Sequence, residues 1–213
     1  MQTLLPLFPL DVVLFPNASL PLHIFEDRYK EMVGDCLAQQ SHFGILYAHD
    51  EVMEEVGCLA EITEVLKRYP DGKLDIMAVG RSRFQVVLLD HERSFLRGLV
   101  EPYDEIENQG PVPAEQVVML LEKYQEIFLL LNKRAPEEDP ARLDMDGLSF
   151  QIASLLQLSN PLKQRLLTER TEAARVGLLL RYFEQLIPRL QEVEQAVRKA
   201  GSNGSQRREI REA

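Results

Sequence analysis

The sequence is poor in the residues and motifs that build covalent, metal and catalytic sites. It has two cysteines, Cys36 and Cys58, with no CxxC pair and no Cys/His cluster, so neither a disulfide framework nor a zinc site has support. Its four histidines are scattered, and it contains no HExxH, no GxSxG and no nucleotide-binding GxxxxGKS/T motif. We therefore expect no catalytic residue, no bound metal and no cofactor.

Positive charge and long apolar runs are also scarce. Acidic residues outnumber basic ones 34 to 24, and the resulting net charge of −10 repels a phosphate backbone. The first residues lack the positive region of a signal peptide, and their apolar stretch is too short and too proline-rich to span a bilayer. These absences predict a cytoplasmic protein with neither a nucleic-acid partner nor a membrane partner.

The beginning of the chain is its most distinctive part. Residues 4–29 are mostly apolar and are interrupted by four prolines, Pro6, Pro9, Pro16 and Pro21. Because proline lacks a backbone N–H and fixes φ, this segment is predicted to form short edge strands joined by turns rather than an amphipathic helix. Apolar residues then recur at helical spacing over residues 26–39, which predicts one early helix.

The remainder of the first half has the pattern of β-strands. Alternating or β-branched segments predict strands at residues 43–48, 56–69, 73–79, 84–90 and 94–103. Pro70, Asp71 and Gly72 are a hairpin-turn signal between the second and third of these strands. Many short strands with one early helix predict a small, partly closed β-barrel.

The second half changes to helical periodicity. A further helix is expected to start with Asn160 as its N-cap and Pro161 at its first position. Apolar stripes predict the other helices at residues 113–134, 148–158 and 171–200. The prediction is an α+β protein with a β-rich domain at residues 1–110, a helical bundle at residues 113–200 and a disordered tail at residues 201–213.

The last predicted helix carries an apolar seam with heptad spacing. The seam consists of Val176, Leu179, Phe183, Leu186, Leu190, Val193 and Val197. Pro188 lies inside it, and a proline in a helix interior costs roughly 3 kcal/mol and predicts a kink. Two interpretations stay open: the first half packs on the other helices while the second half frays or covers the bundle, or the seam forms a self-associating coil.

Several short motifs along the chain carry a family resemblance. In the first half they are Phe43-Gly44-Ile45, Val56-Gly57, Pro70-Asp71-Gly72-Lys73-Leu74, Val79-Gly80-Arg81-Ser82-Arg83-Phe84 and Val100-Glu101-Pro102-Tyr103. In the helical half they are Ile152-Ala153, Leu155 and Lys163-Gln164-Arg165-Leu166-Leu167. Together with the proline-rich opening, these motifs resemble the N-terminal, substrate-binding domain of Lon proteases, over residues 4–187.

The resemblance implies both a fold and a function. The implied fold is a six-stranded, PUA-like β pseudobarrel with one early helix, followed by a helical bundle that ends in a long C-terminal helix. The implied role is recognition of protein substrates without chemistry. Because no motif of the Lon ATPase or of its Ser-Lys peptidase is present, we expect a standalone domain that is not an enzyme and binds unfolded or extended polypeptide.

Eight residues are candidates for this binding. Arginine can hold a carboxylate or carbonyl through its planar fork, and neighbouring aromatic or apolar residues can form a peptide-binding patch. The structural alternative is that the apolar residues lie in the core and that Arg83 pairs with an acid such as Glu61 or Glu64. The candidates are Phe8, Phe15, Pro16, Leu22, Phe25, Arg81, Arg83 and Phe84.

Two other functions stay open at this point. The long C-terminal helix suits an adaptor or assembly protein, which forms a homodimer or joins another protein through that helix. A small-molecule sensor or an enzyme would instead use the mouth of the barrel. That function requires a deep pocket with convergent polar groups, which no motif in the sequence demands.

Overall fold

The computed structural model of the protein describes residues 4–106, 110–135, 143 and 146–209. These residues form an α+β structure, as predicted. The strands are β1 (Leu5–Leu10), β2 (Ser19–Ile24), β3 (Phe43–His49), β4 (Val52–Met53), β5 (Val56–Arg68), β6 (Leu74–Asp90) and β7 (Arg97–Pro102). The helices are α1 (Asp27–Gln39), α2 (Ala114–Asn132), α3 (Leu148–Leu155), α4 (Asn160–Thr168) and α5 (Glu172–Glu209).

Five strands close the barrel in the order β1, β7, β6, β5 and β3, and pairing of β1 with β3 completes the ring. The β1–β3 pair is parallel, and the other pairs among the described strands are antiparallel. β2 pairs with the first part of β6, and the two-residue β4 pairs with β3. The predicted pseudobarrel is confirmed, but its strand number differs from the predicted six: among the described residues, five strands form the ring and two are attached to it.

β6 is one long strand where the sequence suggested two, at residues 73–79 and 84–90. The chain continues through Gly80, whose backbone lies so close to that of Phe15 that an added Cβ would collide with the Phe15 carbonyl. Asn17 N–H donates to the Gly80 carbonyl and Gly80 N–H donates to the Ala18 carbonyl, each at 2.9 Å. Gly80 is therefore needed because two backbone segments approach each other closely at this point, and it does not end a strand.

The predicted hairpin turn is present between β5 and β6. Gly72 has a φ of +82°, a value that favours glycine, and its N–H donates to the Tyr69 carbonyl at 3.0 Å. Tyr69 N–H in turn donates to the Lys73 carbonyl at 2.9 Å. The turn joins the two longest strands, so the proline, aspartate and glycine at residues 70–72 fix where the chain reverses.

α1 contributes to the main core of the barrel. Its amphipathic pattern buries Tyr29, Met32, Val33 and Cys36. They belong to one cluster with residues from β1, β3, β5 and β6, among them Phe8, Phe43, Cys58 and Ile76. A smaller cluster of Leu7, Leu46 and Phe84 lies apart from it. The early helix predicted from spacing is thus the element that buries the inner face of the sheet.

The chain divides into two compact units that differ from the predicted domains. The first combines residues 1–109 with residues 150–171, and the second combines residues 110–149 with residues 172–213. The sequence had assigned residues 150–171, which include α4, to the helical bundle. They group with the barrel because buried side chains such as Arg83 and Gln164 bond across these segments, and helical periodicity alone does not reveal such partners.

The second unit contains the pair α2 and α5, which pack against each other. The seam of α5 divides by exposure: Val176, Leu179 and Phe183 are buried, whereas Val193 and Val197 are exposed. α5 runs through Pro188 and continues to Glu209, so it includes residues 201–209 of the predicted disordered tail. Residues 210–213 lie outside the described residues.

Candidate functional site

Arg83, one of the eight candidates, is committed to the structure. Its side chain is buried, and Nη1 donates to the carbonyls of Leu167 at 2.8 Å and Glu169 at 2.6 Å. Nη2 lies 3.2 Å from Oε1 of Glu105, and the guanidinium also lies over the Tyr103 ring. Arg83 therefore satisfies carbonyls at the C-terminal end of α4 and holds that end against the barrel.

Arg83 pairs with an acid, as the structural alternative predicted, but the acid is Glu105 and not Glu61 or Glu64. Glu61 pairs with Arg81, at 2.6 Å between Oε2 and Nε, and both of these side chains are exposed. The reason is a β-bulge, where the register between β5 and β6 shifts so that two consecutive residues, Arg81 and Ser82, face solvent. Arg83 is thereby turned to the opposite side from the one that simple alternation predicts.

The apolar candidates separate by burial. Phe8, Phe15 and Phe84 are buried, and Phe15 stacks on Phe150 with ring centroids 5.1 Å apart. Pro16 and Leu22 are half-buried, and Leu22 packs against the main core. Phe25 is 56% exposed, the one large apolar candidate that presents its ring to solvent.

Phe25 belongs to a small aromatic surface, which we define as His23, Phe25 and Tyr69. The His23 ring stacks on Phe25 at 5.9 Å and meets the edge of Tyr69 at 5.8 Å. Asp75 holds the two polar rings: His23 Nδ1 lies 2.5 Å from Oδ1, and Tyr69 OH donates to Oδ2 at 2.8 Å. The His23 and Tyr69 hydrogen bonds lower the pKa of Asp75, so it stays a carboxylate and keeps the rings oriented.

β2, next to the aromatic surface, is an edge strand with a proline in its centre. Within the described strands it pairs only with β6. Gly80 N–H of β6 donates to the Ala18 carbonyl. In an antiparallel pair every second residue points its backbone N–H and carbonyl at the partner strand, so the even-numbered residues of β2 face β6. The backbone of Pro21 therefore faces outward, away from β6. Pro21 offers no N–H there, so an added strand would lose a central hydrogen bond. Side-chain contact is thus a better binding mode here than strand addition.

A groove of about 440 Å³ lies between the β3–β4 hairpin and α4. Val52 on its wall is 65% exposed. Asp11 fixes the rim, because its side chain accepts from His49 Nδ1 at 3.1 Å and its carbonyl accepts from Asn160 Nδ2 at 2.9 Å. The groove is lined by Tyr47, His49, Asp50, Val52 and Glu54 from the hairpin and by Pro161, Gln164, Arg165 and Thr168 from α4.

Asn160 therefore has a different role from the predicted one. α4 starts at Asn160 with Ser159 in the N-cap position, and the Asn160 amide is used to bond Asp11 instead of capping the helix. The two residues are distant in sequence, so no local pattern reveals this contact.

The negative charges of nearby carboxylates act on the hydroxyl of Tyr47, which lines the groove. Burial raises the pKa of Tyr47, and the negative charges of Asp11, Glu54 and Asp50 raise it further. Neither the Glu54 carboxylate nor the Tyr47 hydroxyl has a hydrogen-bond or ion-pair partner in the described ranges. The groove therefore combines an apolar wall with a negative potential and unused acceptors.

Gln164 supplies another unused acceptor beside the groove. Its side chain is 4% exposed, and Nε2 donates to the Val56 carbonyl at 2.9 Å. This bond fixes the amide, and Oε1 is buried with no hydrogen-bond partner among the described residues. A buried acceptor left unpaired costs about 1–3 kcal/mol. The sequence indicates Gln164 only as part of a family motif, and it was missed as a candidate because a glutamine in a helix carries no signal of its own for binding.

Metal ligands, thiols and apolar helices are the remaining features of the described residues. Nowhere in the described ranges do three His, Cys, Asp or Glu side chains come together as metal ligands. Cys36 and Cys58 are both buried free thiols, and burial raises the pKa of Cys58 to about 12. None of the described helices combines the length and the apolar character that a membrane crossing requires.

Comparison of the sequence with known proteins identifies relatives that align with most of this chain. Lon protease 1 of Hydrogenovibrio crunogenus is 27% identical over 196 residues, which are 85% of this chain and 23% of that protease. The Lon protease of Flavobacterium johnsoniae is 25% identical over 204 residues, which are 88% of this chain and 24% of that protease. The chain thus spans about a quarter of the length of these two relatives.

Solved structures agree in fold. A Lon N-terminal domain protein from Xanthomonas campestris superposes with a TM-score of 0.66 at 29% identity, covering 84% of this chain and 98% of that one. The N-terminal domain of a Lon protease from the Mycobacterium avium complex has the same fold, with a TM-score of 0.61 at 17% identity, covering 85% and 98%. The resemblance inferred from the sequence motifs is confirmed. Because the family model of the ATP-dependent protease La (LON) substrate-binding domain matches residues 4–185, the chain belongs to that family.

Proposed function

We propose that this chain is a non-catalytic, cytoplasmic protein that binds unfolded or extended polypeptide. The observation that supports this most is the family match over residues 4–185, since the family is named for substrate binding. The relatives are proteases, whose substrates are polypeptides. Binding by this chain alone needs no catalytic group, in keeping with the lack of nucleotide and nucleophile motifs in the sequence.

The aromatic surface is the place where we expect the polypeptide to bind. Aromatic side chains that are exposed and held in one orientation give up little conformational entropy on binding, and such residues dominate the energetics of interfaces. Phe25 offers the ring, and Asp75 fixes its neighbours His23 and Tyr69 through hydrogen bonds. Lys67 lies over Tyr69 at 4.5 Å and adds a cation beside the rings.

Binding of a chemically unfolded test protein to the full chain, measured by fluorescence anisotropy, tests the proposal. Phe25→Ser should weaken binding at least about fivefold, which corresponds to about 1 kcal/mol. Its matched control is Leu88→Ser, which removes another exposed apolar side chain at 63% exposure, far along β6. Both variants should unfold at the temperature of the parent protein because the two side chains are exposed.

The salt dependence of the same binding is a second test. Apolar contact is not screened by ions, whereas surface ion pairs are. Affinity should therefore change little from low to high salt. The proposal fails if no unfolded protein binds, if Phe25→Ser and Leu88→Ser behave alike, or if affinity collapses as salt is added.

One observation favours the adaptor function as a second candidate. Val193 and Val197 are 62% and 66% exposed on α5, one helical turn apart, and form an apolar face there. Light scattering on the intact chain and on a Val193→Ser, Val197→Ser double variant tests it. A dimer that becomes a monomer in the double variant supports an adaptor that acts through α5. A monomer in both cases removes the homodimer form of this candidate.

A further inference from the structure

We propose that the groove between the β3–β4 hairpin and α4 binds a lysine or arginine side chain of a bound polypeptide. The inference rests on the proposed function and adds a specificity to it. The volume of about 440 Å³ is sufficient for one long side chain. Val52, Pro161 and the Tyr47 ring provide apolar surface on which the methylene stem of a basic residue can lie.

The charge of the groove fits a cation. Asp50 and Glu54 line it, Asp11 lies at its rim, and the His49 ring contacts both Asp11 and Asp50, which leaves Glu54 as the carboxylate most open to a ligand. Among the described residues that line the groove, Arg165 is the one with a fixed positive charge. After burial, the negative charges of these same three carboxylates raise the pKa of Tyr47 in the groove.

The hydrogen-bonding groups of the groove also fit a donor-rich ligand. Glu54 and the Tyr47 hydroxyl have no partners in the part of the chain that the structure describes. Lysine carries three N–H donors and arginine five, with no acceptor, so either can bond several of these oxygens. Gln164 Oε1 is a further acceptor, which a donor reaches only after a local side-chain movement because the atom is buried.

Arg165 makes the proposal testable by a gain of affinity. Its side chain is exposed and has no hydrogen bond or ion pair among the described residues. Its charge opposes the entry of another cation, so Arg165→Gln should strengthen binding of a basic side chain. A damaged fold would lose any preference for a charged side chain over an uncharged one of the same length, so an increase in that preference cannot arise from misfolding.

The probes are two labelled peptides of identical, unstructured sequence with both ends capped, one with lysine and one with norleucine at three positions. Norleucine keeps the methylene stem and removes the charge. For the full chain we expect the lysine peptide to bind tighter. Glu54→Gln should reduce that preference about threefold to fivefold and Arg165→Gln should increase it by a similar factor, as is typical of partly exposed ion pairs. Glu122→Gln makes the same charge change on an exposed residue of α2 and should have no effect.

The outcomes separate this proposal from the proposed function. Equal binding of the two peptides, or a lysine preference that Glu54→Gln leaves intact, overturns the groove as a cation site while binding of the unfolded test protein still stands. A preference that appears only with an uncapped amino terminus assigns the groove to a terminal amine and overturns the side-chain proposal. If Phe25→Ser removes binding of unfolded protein while the lysine preference persists, the groove is supported and the proposed function has a second binding surface.

Discussion

At the scale of single residues, Arg83 is the side chain whose loss we expect to cost the most stability. It is buried and satisfies two α4 carbonyls and a carboxylate. Arg83→Met should lower the free energy of unfolding by about 3 kcal/mol or more, because the carbonyls and Glu105 lose a charged partner. The free energy of unfolding of Arg83→Lys should lie between those of Arg83→Met and the parent protein, since one ammonium cannot reproduce the planar fork of the guanidinium.

The control for Arg83 is provided by its neighbour in the same motif. Arg81→Ala removes an exposed ion pair with Glu61 and should change stability by less than about 1 kcal/mol. Urea unfolding followed by circular dichroism measures both. Similar losses for the two arginines would contradict the structural role of Arg83.

The two thiols give a second prediction at this scale. The raised pKa of Cys58, about 12, means that the folded protein holds this proton up to high pH, whereas the unfolded chain releases it near 9.0. Stability should therefore be unaffected by this group below pH 9 and should decline as the pH rises from 9 toward 12.

Thiol labelling and alkaline unfolding check this prediction. At pH 8 a thiol reagent should label the native protein slowly and should label both cysteines at once in urea. Cys58→Ala should lessen the alkaline decline, leaving the part that comes from Cys36, Tyr29 and Tyr47, whose pKa values burial also raises. Rapid labelling of the native protein would show that Cys58 is accessible and not buried.

At the scale of elements, α5 contains a proline in its interior, Pro188. Pro188 lies on the exposed side of the helix, next to the buried Ile187. Pro188→Ala restores an N–H to the helix and removes the clash of the ring with the preceding turn, so it should stabilise the protein by about 1 to 3 kcal/mol.

Thermal unfolding checks the effect, with Gln185→Ala as the control on the same exposed face. That control should lie within about 0.5 kcal/mol of the parent. A loss of stability in Pro188→Ala would show that the packing of Ile187 depends on the helix geometry that the proline imposes.

At the scale of the whole molecule, the compact units predict which fragments fold. A fragment of residues 1–109 keeps every strand but lacks residues 150–171, which belong to the same unit. Arg83, Tyr103 and Phe15 would lose the groups that they contact in α3, in α4 and just after α4. We therefore expect the fragment 1–109 to unfold without cooperativity and the fragment 1–171 to retain a cooperative transition.

Urea titration of the two fragments, followed by both near-UV and far-UV circular dichroism, decides between them. A cooperative fragment 1–109 as stable as fragment 1–171 would show that the barrel needs no helix beyond α1. Binding experiments should therefore use the full chain, because a fragment that ends near residue 110 lacks part of its compact unit.

The sequence by itself determined the local elements and the family. Period-two segments, the turn at residues 70–72 and the helical spacing from residue 26 are encoded within a few neighbouring residues, and they are reproduced in β5, β6 and α1. The motifs that resemble the Lon domain are short and contiguous, so they could be identified without coordinates. The binding candidates had only that support.

Only the tertiary structure decided which side chains meet. A register shift of a single residue at the bulge turns Arg83 away from Glu61, and nothing in the local sequence fixes that shift. Gln164 and Val56 are 108 positions apart, and the two walls of the groove are likewise distant in sequence. Segment 150–171 joins the barrel through such distant contacts. Local patterns specify period and turns because their physics acts over a few residues, whereas pairing across the fold depends on the packing of the whole chain.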